Sequence, residues 1–438
     1  MKLGLYGGLA NNMYLLSRAL AAQDADVCFI RDRGDSFPFS QPVWEDVECT
    51  MSFDGLSRAG VWSWTQWHQF EIEHGWHTPG WLADPINPAD EVCGSRRGFA
   101  RHHFLPGWLP RRQTYRDAVI SLMQKCDLLI VCGIEPMLLA YESKVPYVLW
   151  PHGEDLLTAA GLLQPQLTLR NRLVYASLQR KTRRACLEAL WIGTHDPLLL
   201  GGHIGDVLSH LPLSDVRHFP LPMKVRQRAP KPARQQRLKR YLRELRISVP
   251  DARFFIFIPS RVDFFWKGQD LLLRTLDRLP DKAGLHFIFS GWGQDYEAAK
   301  QRCQDTGHQQ LVTFLPVTFS KPLLYEMFAA VDVVVDQFRL GTYGTSAIEA
   351  MGCGAPVMMR INEPAFRQRG WETPPVINVH TEETIALWLR DLVEGRIDLE
   401  LLSAEQLHWV DRVHGAQTVA NRFLAESDTA FRAGLRAA

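Results

Sequence analysis

Short apolar runs separated by helix-length amphipathic stretches recur along this chain. Leu3–Tyr6 and Val27–Ile30 flank a helix-like stretch, Asn12 to Ala22, and Asp127–Cys132, Pro146–Trp150 and Ala189–Ile192 continue the series. Beyond residue 250 the rhythm sharpens, with Phe254–Pro259, His286–Ser290, Val312–Leu315, Val331–Val335 and Pro356–Met359. Strands that are apolar throughout, not alternating, are covered on both faces, as parallel strands are. Strand and helix taken in turn predict an α/β fold, and two successive series predict two doubly wound domains. Ala416 to Phe431 has the periodicity of a closing helix.

Two regions break the rhythm. Between about residues 43 and 110 lie Trp44, Trp62, Trp64, Trp67, Trp76, Trp81 and Trp108, with His68, His74, His77, His102 and His103 among them. Indole faces stack on sugar rings, settle at membrane interfaces, or fill a satellite core under long loops, and the sequence leaves these open. No metal site is expected at His68, His74 and His77. The second break runs from Leu221 to Arg246, rich in Pro, Arg and Lys with Glu244 as its acid. It reads as a basic linker over residues 223–250, whose second half, Arg237 to Arg246, could continue as a basic helix. Arg170, Arg172, Arg180, Lys181, Arg183 and Arg184 form another basic run. Both are either solvated faces or attractors for an anionic substrate or an anionic membrane surface.

A chain of 438 residues exceeds what one core usually supports, which agrees with two domains. Hydrophobic content of 46% with 22% charged residues excludes extended disorder. A net charge of +1 gives no basis for nucleic acid as a partner. The cysteines are scattered without a C-x-x-C pair, as expected of reduced thiols in a cytoplasmic protein. The N-terminus reads as a strand entering a glycine turn, not as a signal peptide, and no apolar run is long enough for a membrane span.

The densest chemistry lies at 341–357, Gly-Thr-Tyr-Gly-Thr-Ser-Ala-Ile-Glu-Ala-Met-Gly-Cys-Gly-Ala-Pro-Val, just after a buried strand that ends in Asp336-Gln337. A glycine loop leading into a helix presents free backbone N–H groups to an anion, normally phosphate. Glu349, one turn in, can accept hydrogen bonds from sugar hydroxyls of the same ligand. Phosphate with polyol suggests a nucleotide or sugar nucleotide; an ordinary strand-to-helix turn with a solvated glutamate is the alternative.

Several segments, in order, resemble the retaining glycosyltransferases of family 4 (glycosyl transferases group 1). Pro259-Ser260-Arg261 followed by Lys267-Gly268-Gln269-Asp270-Leu271-Leu272 is similar to that family's Arg…Lys-Gly-x-Asp-x-Leu segment. Gly291-Trp292-Gly293 follows a strand as its G-x-G does, and Glu349-Ala350-Met351 with Gly354-x-Pro356-Val357 resembles its most characteristic block. The resemblance covers about residues 251–360. It implies a GT-B-like fold, two Rossmann-like domains facing across a cleft. The expected division is 1–222, the linker 223–250, a nucleotide-sugar-binding domain at 251–415, and a tail, 416–438, packing back on the first domain.

The resemblance also implies roles. Arg261 and Lys267 would neutralise the donor diphosphate in place of a metal, so that no cofactor is expected, and Glu349 would hold the ribose hydroxyls. The backbone at Gly344, Thr345 and Ser346 would cradle phosphate, with Gly341 and Thr342 in the same loop and Gly291 and Gly293 beside it. Gly7 and Gly8 would approach the transferred sugar, and His152 would hydrogen-bond it or stabilise charge at its anomeric centre. The implied activity is metal-independent transfer, with retention, from a nucleotide sugar to a saccharide or lipid-linked acceptor. In that family the donor phosphate helps to take the acceptor proton.

One departure stands out, since the first glutamate of the family's E-x7-E motif falls on Gly341. Asp336 or Gln337 is the nearest substitute. Two other classes therefore stay open. A sugar-nucleotide-binding protein without turnover would fit Gly341. A nicotinamide-dependent oxidoreductase would use the Gly7-Gly8 loop with Asp32, although the spacing is not G-x-G-x-x-G.

Overall fold

The computed structural model describes the whole chain except residues 9, 33–36, 53–62, 86–112, 152, 163–168, 200–206, 214, 280–281, 283 and 438. The chain divides into two compact units, one of Met1–Glu45, Val61–Pro222 and Ala416–Ala438, the other of Asp46–Gly60 and Met223–Gly415.

In the first unit the described strands are β1 (Lys2–Gly7), β2 (Asp26–Ile30), β4 (Leu82–Ala83), β5 (Leu128–Cys132), β6 (Tyr147–Leu149), β7 (Ile192–Thr194) and β8 (Val216–His218); β3 (Thr50–Ser52) belongs to the second unit. They form one sheet in the order β4-β2-β1-β5-β6-β7-β8, parallel throughout. The order reverses beside β1, the usual signature of a doubly wound sheet. Helix Asn12–Ala21 buries its apolar side and packs against the final helix, Ala416–Ala437. The described tryptophans of the 43–110 region pack inward. Trp44 and Trp67 are buried, Trp81 packs on Tyr14 and Phe29, and Trp64 and Trp76 cover the buried Arg31, which pairs with Glu71. Trp62, Trp108, His102 and His103 lie outside the described residues.

The second unit carries β9 (Phe254–Ile258), β10 (Leu285–Phe289), β11 (Val312–Phe314), β12 (Val317–Phe319), β13 (Val333–Val335), β14 (Val357–Met359) and β15 (Ile377–Asn378). Its main sheet runs β11-β10-β9-β13-β14-β15, again parallel, with β9 and β10 buried along their whole length. Strand β3 leaves the first unit's sequence to pair antiparallel with β12.

Two expectations change here. Residues 223–250 are not a linker but part of the second unit, containing the helix Lys231–Glu244. Its charge is largely neutralised by carboxylates. Lys231 and Arg234 meet Asp332 at 3.5 and 3.4 Å, Arg237 meets Glu326 at 3.1 Å, and Lys239 pairs with Asp251. The strand expected at Ala189–Ile192 lies instead at Ile192–Thr194. No helix among the described residues is long and apolar enough to cross a membrane.

Candidate functional site

Parallel strands end on one edge of their sheet, and the loops leaving that edge are where α/β proteins bind ligands. In the second unit β10, β9 and β13 are neighbours. The three sequence motifs follow these strands, so 291–293, 260–268 and 336–344 leave the sheet side by side. Motifs dispersed over some eighty positions therefore belong to one edge.

The loop after β9 and the loop after β13 are laced together. Ser260 Oγ donates to the Asp336 carbonyl at 3.2 Å, and Phe338 N donates to the Lys267 carbonyl at 2.8 Å. Lys267 Nζ sits 2.9 Å from Asp336 Oδ1, with Asp336 fully buried and Lys267 20% exposed. Asp336 Oδ2 is buried and meets no donor. Arg261 reaches outward, 46% exposed, with Nε 3.2 Å from Asp263 Oδ2. Gln269 braces this loop from within, accepting from Asp263 N at 3.1 Å and donating to the Arg261 carbonyl at 2.9 Å.

Gln337 closes the next turn through both ends of its amide. It donates to the Thr342 carbonyl and accepts from Leu340 N at 2.6 Å. Gly341 has φ +76°, in the left-handed region where a β-carbon is disfavoured, so the departure from E-x7-E is built into the backbone of this turn. Thr342 Oγ1 is buried with no hydrogen-bond partner. Tyr343 is buried against Phe366 and Trp409, its hydroxyl 3.3 Å from His414 Nε2. The helix Thr345–Gly352 then starts at Gly344, which caps it with no side chain, so no side chain competes with an anion for the N–H groups of the first turn around Thr345 and Ser346.

Glu349 is fully buried one turn into that helix. Its Oε1 is paired with Lys321 Nζ and lies 3.4 Å from the Tyr325 hydroxyl. Its Oε2 is buried without a donor. An unmet buried acceptor costs about 1–3 kcal/mol, more when charged, which a ligand hydroxyl would relieve. Lys321 and Tyr325 were not singled out from the sequence. A lysine at a helix start reads as solvated, and its partner lies 28 positions away.

Gly291 and Gly293 serve backbone packing. A β-carbon on Gly291 would stand 2.1 Å from the Leu315 carbonyl oxygen, and one on Gly293, at φ +126°, 2.3 Å from Val262 N and O. In the first unit Gly7 (φ +84°) ends β1 and Gly8 (φ +128°) follows it. A β-carbon on Gly7 would come within 2.2 Å of the Cys132 carbonyl oxygen. Asn11, at the N-cap of the helix Asn12–Ala21, donates to the Gln41 carbonyl at 2.9 Å and to Glu45 Oε1 at 3.1 Å. His152 lies outside the described residues; nearby, Asp155 accepts from Gly153 N and Leu156 N, each at 3.0 Å. Arg261, Lys267, Asp336, Gln337, Gly341, Thr342, Gly344, Thr345, Ser346 and Glu349 thus share the second unit with Gly291 and Gly293, while Gly7 and Gly8 belong to the first.

Comparison with known proteins bears out the resemblance. Residues 253–381 match the family described as Glycosyl transferases group 1. A D-inositol 3-phosphate glycosyltransferase of Mycobacteroides abscessus is 36% identical over 97 residues, which are 21% of this chain and 21% of that protein. The chain thus aligns with about a fifth of the length of that curated relative. Anabaena HepE, crystallised in complex with UDP-glucose, superposes with a TM-score of 0.61 at 14% identity, over 98% of this chain and 99% of its own. Sucrose-phosphate synthase from Thermosynechococcus elongatus gives a TM-score of 0.61 at 13% identity, over 99% and 100%. The two-sheet α/β architecture is that of GT-B glycosyltransferases.

Proposed function

We propose that this chain, with its GT-B fold and its match to the group 1 glycosyl transferases over residues 253–381, is a retaining, metal-independent glycosyltransferase. It moves a sugar from a nucleotide-sugar donor to a saccharide or lipid-linked acceptor. The observation that carries the reading is the set of groups at one sheet edge of the second unit. Lys267, an uncapped helix start at Gly344, and the buried Glu349 with one unmet oxygen match a diphosphate followed by a ribose. As the glycosidic bond breaks, negative charge grows on the leaving diphosphate. Fixed donors there, the Lys267 ammonium and the helix N–H groups, lower the barrier without reorganising. HepE, crystallised with UDP-glucose, supports a nucleotide sugar as the ligand class.

The acceptor is read from the first unit. On its helix Leu169–Leu187, Arg172, Arg180, Lys181 and Arg184 are exposed, which supports contact with an anionic lipid surface at the cytoplasmic face of a membrane. Flotation with anionic liposomes checks this; absence of salt-sensitive binding removes the membrane from the reading.

The deciding experiment is calorimetric and thermal-shift titration with UDP, GDP, their sugar conjugates and NADH, each with and without EDTA. Stabilisation by one nucleotide family, unchanged by EDTA, is expected. Response to NADH alone would replace the reading by a nicotinamide-dependent one, and dependence on a divalent cation would overturn the metal-free part. Gly341 favours a second reading, a sugar-nucleotide-binding protein without turnover, which predicts donor binding with neither transfer nor hydrolysis.

A further inference from the structure

Lys321 occupies a position that neither burial nor helix electrostatics favours. It is the first residue of the helix Lys321–Ala330, where the positive end of the helix dipole opposes a cation, and it is 5% exposed. Its start is also pinned. Ser320 N donates to the Cys49 carbonyl and Ser320 Oγ accepts from Cys49 N, both at 2.9 Å, just where β12 pairs with β3. The chain thus fixes a buried lysine at a set place, and its ammonium is paired with Glu349 Oε1. Tyr325, one turn on along the same helix face, brings its hydroxyl to 3.4 Å from that same oxygen. Two donors from one rigid helix hold one oxygen of Glu349, and the other, Oε2, is buried with no donor.

We propose that Lys321, seconded by Tyr325, is a positioning residue that sets the selectivity of this site for ribose. By fixing Oε1 the pair leaves Oε2 turned to accept from a ribose hydroxyl, and a sugar lacking that hydroxyl leaves the buried oxygen unmet. The proposal rests on the nucleotide-sugar reading of Glu349 and deepens it. Selectivity of this origin is strong because a buried polar group, not a shape, rejects the deoxy ligand.

The test is calorimetric affinity for UDP and GDP and for their 2′-deoxy and 3′-deoxy counterparts, on the wild-type chain, Lys321→Met, Lys321→Arg, Glu349→Gln and the double variant Lys321→Met/Glu349→Gln. Wild type should prefer a ribonucleotide over a deoxy form by about tenfold or more. Lys321→Met should lose most of that preference through weaker ribonucleotide binding, with deoxy binding little changed, and Lys321→Arg should retain part of it. In the Glu349→Gln background, Lys321→Met should add nothing further, since it acts through Glu349. The double variant leaves no unpaired buried charge and keeps the cycle readable if Lys321→Met alone folds poorly. Full wild-type preference in folded Lys321→Met, or independent effects in the cycle, would overturn the positioning role. Equal wild-type affinity for ribo and deoxy forms would instead overturn the role of Glu349. A wild-type chain that binds no nucleotide would overturn the proposed function itself.

Discussion

Replacing Lys267 by Met separates two roles that one contact combines. Lys267 Nζ lies 2.9 Å from Asp336 Oδ1, and Asp336 is fully buried with Oδ2 already lacking a donor. Removing one member of a buried ion pair costs about 3–5 kcal/mol, and the partial exposure of Lys267 puts this case at about 2–3 kcal/mol. For a unit of this size that is a fall of roughly 4–12 °C in the unfolding midpoint. If Lys267 also meets the donor diphosphate, a charge-assisted hydrogen bond of about 1.5–3 kcal/mol is lost, or about 10–150-fold in affinity. The double variant Lys267→Met/Asp336→Asn distinguishes the roles, because asparagine keeps the shape at 336 while removing the stranded charge. Differential scanning calorimetry should show most of the midpoint restored in the double variant. Titration with the nucleotide that binds the wild type should still find affinity at least about tenfold down. If affinity returned together with stability, Lys267 would be a structural ion pair and its assignment to the diphosphate would be refuted.

Three further outcomes follow from the geometry. Gly293→Ala, with φ +126° and Val262 N and O 2.3 Å from the added carbon, should destabilise the second unit by about 2–4 kcal/mol in urea unfolding; a stability change under about 1 kcal/mol would contradict the packing role, since without a clash or strain the exchange stabilises slightly. Burial on β10 lowers the His286 imidazole from 6.5 to about 4, so the unfolded chain binds the extra proton between those values. Stability should be full above about pH 6.5 and decline towards pH 4, by up to about 3 kcal/mol, and His286→Gln should flatten that slope of urea midpoint against pH. The half-buried Cys28 thiol is lowered by the adjoining Cys126, whereas burial raises Cys49 and Cys303 to about 11. Iodoacetamide at pH 7.5 followed by peptide mapping should therefore find Cys28 modified ahead of those two, and Cys126→Ala should slow it.

The strands legible in the sequence were those whose apolar runs have no competing signal, such as Phe254–Ile258 and Val333–Val335. β7 was displaced because Gly193 reads as a break. It lies inside the strand because Phe219 and Trp191 press on it, leaving a would-be β-carbon 2.7 Å from Phe219 Cβ. The supposed linker misled for a similar reason. A run of arginine and lysine looks solvated until its acids are known, and Asp332 and Glu326, which neutralise it, come from far along the chain. Motif spacing could locate Lys267 and Glu349 because that spacing belongs to one strand-loop-helix unit each. Lys321 had no such local signature, since only the packing of its helix beside Thr345–Gly352 brings it to Glu349.

The pairings change how a donor must be held. Arg261 with Asp263, Lys267 with Asp336 and Lys321 with Glu349 set three cations against three carboxylates around the same loops. Between them these three pairs add no net charge to the site, so they give a diphosphate no large positive field. Attraction must come from directed groups, the N–H donors at Gly344–Ser346 and a Lys267 that shares itself between Asp336 and phosphate. The unmet Oε2 of Glu349 points the same way, since it is a fixed acceptor suited to a sugar hydroxyl and ill suited to phosphate. Such an arrangement orders a mixed ligand by its chemistry, hydroxyls against carboxylates and phosphate against amides. A simple polyanion satisfies only half of it. That is why the double variant at 267 and 336 should regain its stability without regaining affinity for the nucleotide.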